Sequence, residues 1–500
     1  MEHTKTALIL YPNQLFAPEL LPKVDVIFVV EEPYYFGADN QQPADLHKQK
    51  LILHRSCMRR YVEETLWQKD LNVEYIELKD IEYTADVLVR AQKVGAELVM
   101  IFDPTDHLIE SRLKKALDNT VETPFELKIL PNPSFMLKRS EVRDYFASKT
   151  KHKFSDFYQW QRERFNILID SDYRPIGGKW MFDMTKPMSL PAGQVAPGFR
   201  GFGDNDYVNE AKKWVNDNFT GNPGTSDNFF WPTSHEEAKE WLDDFIHHRL
   251  ESFSSYSQAI DGQALFLYHS GISAALNCGL LTPKQVVGAV LAYHSKHPFT
   301  MANLESFIRQ IIGWREYIRG IYVTQNYTQK AFSPSSTKAL HPKWWDGTTD
   351  IPPLDDIVKT VLNHAYADST ERLNIVANLM ILCEIHPGEA YRWFYTLFID
   401  AYDWVVAPNV YNAMQLSEMG GIWPKLNIGA SDYILSMSHY KRDVWCDTWD
   451  GLYWEFLDRH KAVLAKNPHA KISLKQLESV SPEHRRIANY RAQDFVTSIS

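Results

Sequence analysis

Hydrophobic periodicity changes once along this chain, and that change limits the fold more than any other feature. Short apolar runs at residues 7–10, 26–30, 73–78, 98–102 and 125–130 alternate with helix-period stretches around 44–69, 84–95 and 107–119. Strands separated by helices pair in parallel, because a parallel connection must cross back over the sheet. The first 134 residues therefore read as a doubly wound α/β sheet. From Ser234 onward the strand signal nearly vanishes, and helical periods run through 236–252, 283–295, 354–364 and 372–385. The expected division is an α/β domain over 1–134, a long connector over 135–233 and an all-α domain over 234–500. The connector is rich in Gly, Pro, Asn and Asp, as in Pro175-Ile-Gly-Gly-Lys-Trp-Met-Phe-Asp183. A connection of that length is usually functional or a linker.

A doubly wound sheet offers ligands the carboxyl ends of its strands. Here those ends are Tyr11-Pro-Asn-Gln14, Glu31-Glu32-Pro-Tyr34-Tyr35-Phe-Gly37 and Asp103-Pro-Thr. Turn chemistry alone accounts for each of them singly. No Gly-x-Gly-x-x-Gly follows a strand, which excludes a standard dinucleotide fold.

The formal charge of −10 rules out bulk attraction to nucleic acid, so a DNA surface has to be local. One candidate combines Lys138, Arg139, Arg143, Lys149, Lys151, Lys153, Arg162 and Arg164 with Phe154, Phe157, Tyr158 and Trp160. A solvated charged face gives the same pattern. The four cysteines, at 57, 278, 383 and 446, have no paired spacing and suggest neither a disulfide framework nor a zinc site. The longest apolar run, around 286–291, is too short to span a membrane, and no secretory signal opens the chain. A cytoplasmic protein is expected. Fifteen tryptophans allow closely placed rings, and with them electron hopping.

In the helical half, Phe307, Ile311, Trp314, Ile318 and Ile321 form one apolar face. Gln310, Gly313 and Tyr317 share a second stripe with Glu316 beside it, and this polar stripe is the expected wall for a flat ligand. An ordinary buried helix is the alternative. In Tyr268-His269-Ser270-Gly271-Ile272-Ser273, small hydroxyl residues around a glycine open a helix, where backbone N–H groups can meet phosphate oxygens. A simple N-cap explains that segment equally well. Arg372 and Asp400 lie in two further polar segments, and a structural ion pair is one reading of them.

The string Phe307-Ile-Arg-Gln-Ile-Ile-Gly-Trp-Arg-Glu-Tyr317 resembles the Trp-Arg-Glu-Phe/Tyr signature of photolyases and cryptochromes, in particular their bacterial iron–sulfur branch. The likeness runs through Asn13-Gln14-Leu15, Glu32, Tyr35-x-Gly37, Gly177-Gly178-Lys-Trp180, Asn277-Cys-Gly279, Trp345-x-Gly-x-Thr-Asp350, Asp400-Ala-Tyr-Asp-Trp404 and Leu452-Tyr-Trp454. It implies an antenna domain followed by a helical FAD-binding domain. FAD contacts would come from Tyr268, His269, Ser270, Ile272, Ser273, Gln310, Arg372, Asp400, Val406 and Asn409. Glu32 would contact a lumazine-type antenna chromophore. Arg372, braced by Asp400, would stabilise the anionic charge of a reduced flavin. Trp314 and Glu316 would face a UV photolesion in DNA, and Trp393 and Trp345 would relay electrons.

The same resemblance exposes departures. Where the branch carries Tyr-Cys-x-x-Cys, this chain has Tyr440-Lys441-Arg-Asp-Val444, Cys446 lies one place from the last ligand position, and another ligand position falls at Pro352-Pro353. One thiolate cannot hold a cluster that needs four, so no iron–sulfur cluster is expected. Asp368 and Ser369 stand where relatives that repair (6-4) photoproducts have histidines, Val406 replaces a glutamate, Phe394 replaces a relay tyrosine, and a lesion-pocket tyrosine aligns near Asn427. Three functions remain open on these residues. They are light-driven DNA repair, a cryptochrome-type photoreceptor with its own signalling partner, and a light-independent flavoprotein or scaffold.

Overall fold

The computed structural model describes residues 4–119, 126–149, 152–182, 188–191, 193–262, 264–325, 337–414 and 428–499. Lys151, Asp183 and Asn427 lie outside them. Five parallel strands, β1 (Thr6–Leu10), β2 (Val26–Val30), β3 (Val73–Ile76), β4 (Leu98–Phe102) and β5 (Glu126–Leu130), form one sheet in the order β3-β2-β1-β4-β5. Ala7 pairs with Val26 on one side and Val99 on the other. β2 is buried along its whole length, as a central parallel strand covered on both faces must be. β5 is the exposed edge.

The strand order reverses at β1, which opens the crevice between the carboxyl ends of β1 and β4. Gln14 closes its floor by donating to the Phe102 carbonyl at 2.9 Å. The crossover helices are α1 (Lys48–Arg60), α2 (Asp86–Lys93) and α3 (His107–Asn119). The connector is less open than its composition implies. It contains α4 (Arg139–Ala147), α5 (Phe154–Phe165) and α6 (Asp206–Asn218), each with an apolar face hidden among turn residues.

The second half is helical, with α7 (His235–His248), α8 (Ser273–Cys278), α9 (Pro283–Lys296), α10 (Met301–Ile308) and α11 (Arg315–Thr324) followed by further helices to residue 498. A π-helical turn, Arg309–Trp314, joins α10 to α11, and a second, Arg372–Ala377, follows the short helix Ser369–Glu371. Such turns insert one extra residue and commonly sit at functional sites.

The two halves are joined by polar contacts that few helices would bury. At the N-cap of α1 and along it, His47, Lys50 and His54 fall three and four residues apart and so share one face. His47 Nε2 lies 3.1 Å from the Leu362 carbonyl. Lys50 Nζ donates to the Ala401 carbonyl at 2.5 Å, and His54 Nε2 lies 2.9 Å from the Tyr402 hydroxyl. Across the same boundary Arg319 donates to Asp103 at 2.9 Å, with both side chains buried. Among the described residues no helix is long and apolar enough to cross a membrane.

Candidate functional site

A cavity of about 550 Å³ opens among the helices of the second half. That size, a mostly apolar lining and a few convergent polar groups are typical of a cofactor or ligand site. One wall is Phe307, Ile311, Trp314 and Ile318, with Gln310 beside them on the π-turn. The apolar face of this helix thus meets the cavity, and of the polar stripe only Gln310 joins it. Gly313 and Tyr317 turn the other way. A Cβ on Gly313 would stand 2.8 Å from the Tyr158 ring, and the Tyr317 hydroxyl donates to the His152 carbonyl at 2.7 Å. The physical reason is packing. α5 presses its aromatic face on the π-turn, Gln161 donates to the Ile312 carbonyl at 2.9 Å, and only glycine leaves room for the approach.

Opposite lies the charged wall. Arg372 donates from Nη1 to Asp400 Oδ1 at 2.9 Å and from Nη2 to Oδ2 at 3.2 Å, a bidentate pair that fixes the plane of the guanidinium. Its Nε donates to the Ala367 carbonyl at 2.8 Å, and its carbon lies 4.1 Å from the centre of the Phe398 ring. Ser273 Oγ donates to Asp400 Oδ2 at 2.6 Å, and Asn277 Nδ2 to the Asp400 backbone carbonyl at 2.8 Å. α8 is therefore tied directly to the ion pair.

His269, Ser270, Ile272 and Ser273 also line the cavity, at a turn where Gly271 has φ +65° and a Cβ would strike Phe266. His269 Nε2 is buried without a hydrogen-bond partner. Its distance of 3.7 Å from Asp368 Oδ2 is too long for a hydrogen bond. Val406 and Asn409 complete the lining from the helix Asp403–Ala413.

Other expected site residues are not in this wall. Tyr268 stacks on Tyr256 at 4.7 Å, and its hydroxyl accepts from Gln194. Glu316 is fully buried and turned away from the cavity. It accepts from the Met136 backbone N–H, with Arg319 Nη1 at 4.0 Å. Burial raises its pKa to about 7, against the pull of Arg319. Trp393 is buried behind Phe394 and Phe398, which themselves line the cavity, with ring centres 5.1 and 5.6 Å away. Its indole N–H donates to the Trp344 carbonyl. Trp345 is half-buried beneath Arg392.

Glu32 belongs to the α/β half. Thr84 donates to its Oε1 at 2.7 Å, while Oε2 is buried and unpartnered. Burial raises its pKa to about 7. Three arginines of the connector's basic run are taken up by internal partners. The Arg162 guanidinium is spent on the carbonyls of Ile167, Leu168 and Trp180, Arg139 pairs with Glu110 and Asp103, and Arg164 pairs with Glu141. Lys138, Arg143, Lys149 and Lys153 stay exposed.

Residues 8–231 match the family described as deoxyribodipyrimidine photo-lyase-related protein. A (6-4) photolyase of Agrobacterium fabrum is 27% identical over 443 residues, 84% of this chain and 85% of that protein. The structure superposes on a class III photolyase from Agrobacterium tumefaciens with a TM-score of 0.57 at 15% identity, covering 100% of this chain and 98% of that one. In sequence and in fold the chain is similar to members of the photolyase/cryptochrome superfamily, among them a bacterial (6-4) photolyase. A Synechocystis cryptochrome shares the same photolyase/cryptochrome fold, with a TM-score of 0.54 at 14% identity and both chains fully covered. An uncharacterized protein of Acanthamoeba polyphaga mimivirus is 30% identical over 202 residues, 37% of this chain and 96% of that protein.

Within this superfamily frame, two cavity residues were missed by sequence reasoning, Arg315 and Asn277. Arg315 lies inside the Trp-Arg-Glu-Tyr string yet was passed over for its neighbours. It lines the cavity, donates to Asn277 Oδ1 at 2.6 Å and lies between the Phe135 and Trp404 rings at 4.9 and 4.8 Å. Burial lowers its pKa to about 10. In the segment where the branch carries cluster cysteines, Tyr440 donates to Asp356 at 2.7 Å and the Trp445 ring stands 6.3 and 6.4 Å from those of Tyr440 and Trp449. Cys57, Cys278, Cys383 and Cys446 are free and buried. Among the described residues no three His, Cys, Asp or Glu side chains are grouped to hold a metal ion.

Proposed function

We propose that this protein is a blue-light-driven electron-transfer flavoprotein that holds FAD in the helical cavity and acts on UV-damaged DNA as a photolyase does. The observation that carries the reading is the bidentate Arg372–Asp400 pair in the cavity wall, tied to Ser273. The donors present suit the group. A buried, unpartnered His269 Nε2 and the Ser270–Ser273 turn match phosphate oxygens, and an apolar wall matches a flat ring. Bound there, FAD would supply light absorption and one-electron transfer.

The chain's own residues would do the rest. Arg372 stabilises negative charge on the ring, and Asp400 keeps the guanidinium in plane so that its field is already oriented. Gln310 and Asn409 offer amides to the ring edge. Phe307, Ile311 and Ile318 exclude water, and Trp314 presents an indole face against which an unstacked base can rest. Glu316 supports that wall from behind. Trp393 and Trp345 are the proposed relay. The unpartnered Glu32 Oε2 at the sheet's carboxyl edge supports a polar antenna chromophore of lumazine type.

The iron–sulfur cluster of the branch does not fit these residues: Cys446 is the one thiol in the segment 437–454, where the branch carries its cluster cysteines, and no step is assigned to the cluster. Repair of (6-4) lesions by the relatives' route lacks its proton donor here. Asp368 is spent capping the helix Ser369–Glu371, accepting from Thr370 N at 2.7 Å and Glu371 N at 3.0 Å. Together with Val406 in the wall, that loss favours a second reading, a photoreceptor in which light-driven flavin charge alters a partner surface.

The test is illumination of the reduced, FAD-loaded protein with oligonucleotides carrying either dimer class. Restored bases for one class support repair. Failure with both, alongside intact photoreduction, leaves the photoreceptor.

A further inference from the structure

Behind the cavity wall lies a buried polar cluster that neither the ion pair nor the tryptophan relay uses. Tyr402 follows Asp400 and Ala401, both in the wall. Its hydroxyl lies 2.9 Å from His54 Nε2, and the other ring nitrogen, Nδ1, lies 3.1 Å from the Tyr35 carbonyl oxygen. A carbonyl only accepts, so Nδ1 carries the ring proton and Nε2 presents its lone pair to Tyr402. Burial and the nearby Lys50 ammonium lower the His54 pKa to about 3, which keeps the imidazole neutral. Tyr402 is therefore the donor in a buried tyrosine–histidine pair.

A phenol is a practical one-electron donor only when its proton has somewhere to go, because oxidation makes the hydroxyl a strong acid. The relay tryptophan lacks such an outlet. The Trp393 N–H meets a backbone carbonyl, and the residue between it and the cavity is Phe394, which carries no hydroxyl. Tyr402 has the outlet and adjoins the lining residue Ala401.

We propose that Tyr402, with His54 as its proton acceptor, is a second, tyrosine-based electron donor to the cofactor of this cavity, a proposal that rests on the FAD reading above. In the step, Tyr402 gives one electron to the light-excited oxidised flavin and its hydroxyl proton to His54 Nε2. The products are a neutral tyrosyl radical, an imidazolium and a flavin carrying one added electron. The dry surroundings and Lys50 disfavour the imidazolium, so the proton and electron return and the radical is transient. His54 acts through Tyr402 and is a positioning residue.

The test is electron paramagnetic resonance of the FAD-loaded protein, illuminated and frozen, with the flavin absorption recorded on the same sample. The expected result is a tyrosyl signal, narrowed by β-deuterated tyrosine, that is lost in Tyr402→Phe and in His54→Leu but kept in Tyr391→Phe. In the dark, nitrogen-15 resonances should report His54 as the neutral Nδ1–H tautomer. Flavin-loaded protein with no tyrosyl signal, or with one unchanged in Tyr402→Phe, overturns this donor and leaves the FAD reading standing. Folded protein that takes up no flavin overturns the FAD reading and this donor with it.

Discussion

Arg372 and Asp400 meet through two parallel hydrogen bonds, at 2.9 and 3.2 Å, and both side chains face the same cavity. Asp400 also receives Ser273, so one carboxylate aligns a cation and anchors the turn proposed to hold phosphate. Replacing Asp400 with Asn removes the charge that holds the fork in plane. A hydrogen bond to a charged group contributes about 1.5–3 kcal/mol, so FAD binding should weaken by roughly ten- to a hundredfold. Titration of the apoprotein with FAD, followed by flavin fluorescence, measures it. Unchanged affinity would separate the pair from the cofactor.

Gly313 makes the close approach of α5 to the π-turn possible. In Gly313→Ala the new methyl would stand 2.8 Å from Tyr158 and 3.2 Å from Phe154, so a ring or the helix must move. Overpacking of this kind costs about 1–3 kcal/mol. Thermal unfolding should show a lower midpoint, and the displaced Gln310 and Trp314 should weaken FAD binding too.

Asp106, at the start of α3, is buried, and its pKa is raised to about 8, first by that burial and then by the nearby Asp403 charge. The folded protein therefore holds a proton that the unfolded chain releases near pH 4. The stability this contributes is complete below the unfolded pKa and is lost as pH rises toward 8. Asp106→Asn keeps the shape and the helix cap without the titration. Its stability advantage over the wild type should be near zero at about pH 4 and grow by at most about 1.4 kcal/mol per pH unit up to pH 8. Chemical denaturation at a series of pH values checks the slope; a gap independent of pH would contradict it.

Iron analysis addresses the missing cluster. The protein purified without oxygen should hold far less than one iron per chain, and Cys446→Ser should leave the unfolding midpoint unchanged within error. Stoichiometric iron with broad visible absorption would contradict the proposal.

Much of the architecture was readable from periodicity, because strand and helix leave different spacings. The expected strand starting at residue 73 and the helices around 84–95 and 107–119 match β3, α2 and α3 closely. The apolar stripe through Phe307, Ile311, Trp314 and Ile318 was equally plain. Its destination was not, because periodicity defines a face without naming what covers it. α5 covers Gly313 and Tyr317 of the polar stripe, while Gln310 and the apolar stripe are left for the cavity.

Arg162 and Arg139 show the same limit for charge. A basic run in sequence becomes carbonyl caps and ion pairs once distant partners arrive. The polar face of α1 was missed for a related reason. His47, Lys50 and His54 look solvent-facing until the helical half docks on them.

The most direct test is the absorption spectrum of the purified, folded protein, followed by release of its cofactor on denaturation. A flavin spectrum with one FAD released per chain, lost in an Arg372→Ala variant that still folds, is the predicted result. Folded protein that neither carries nor takes up FAD would contradict the central claim.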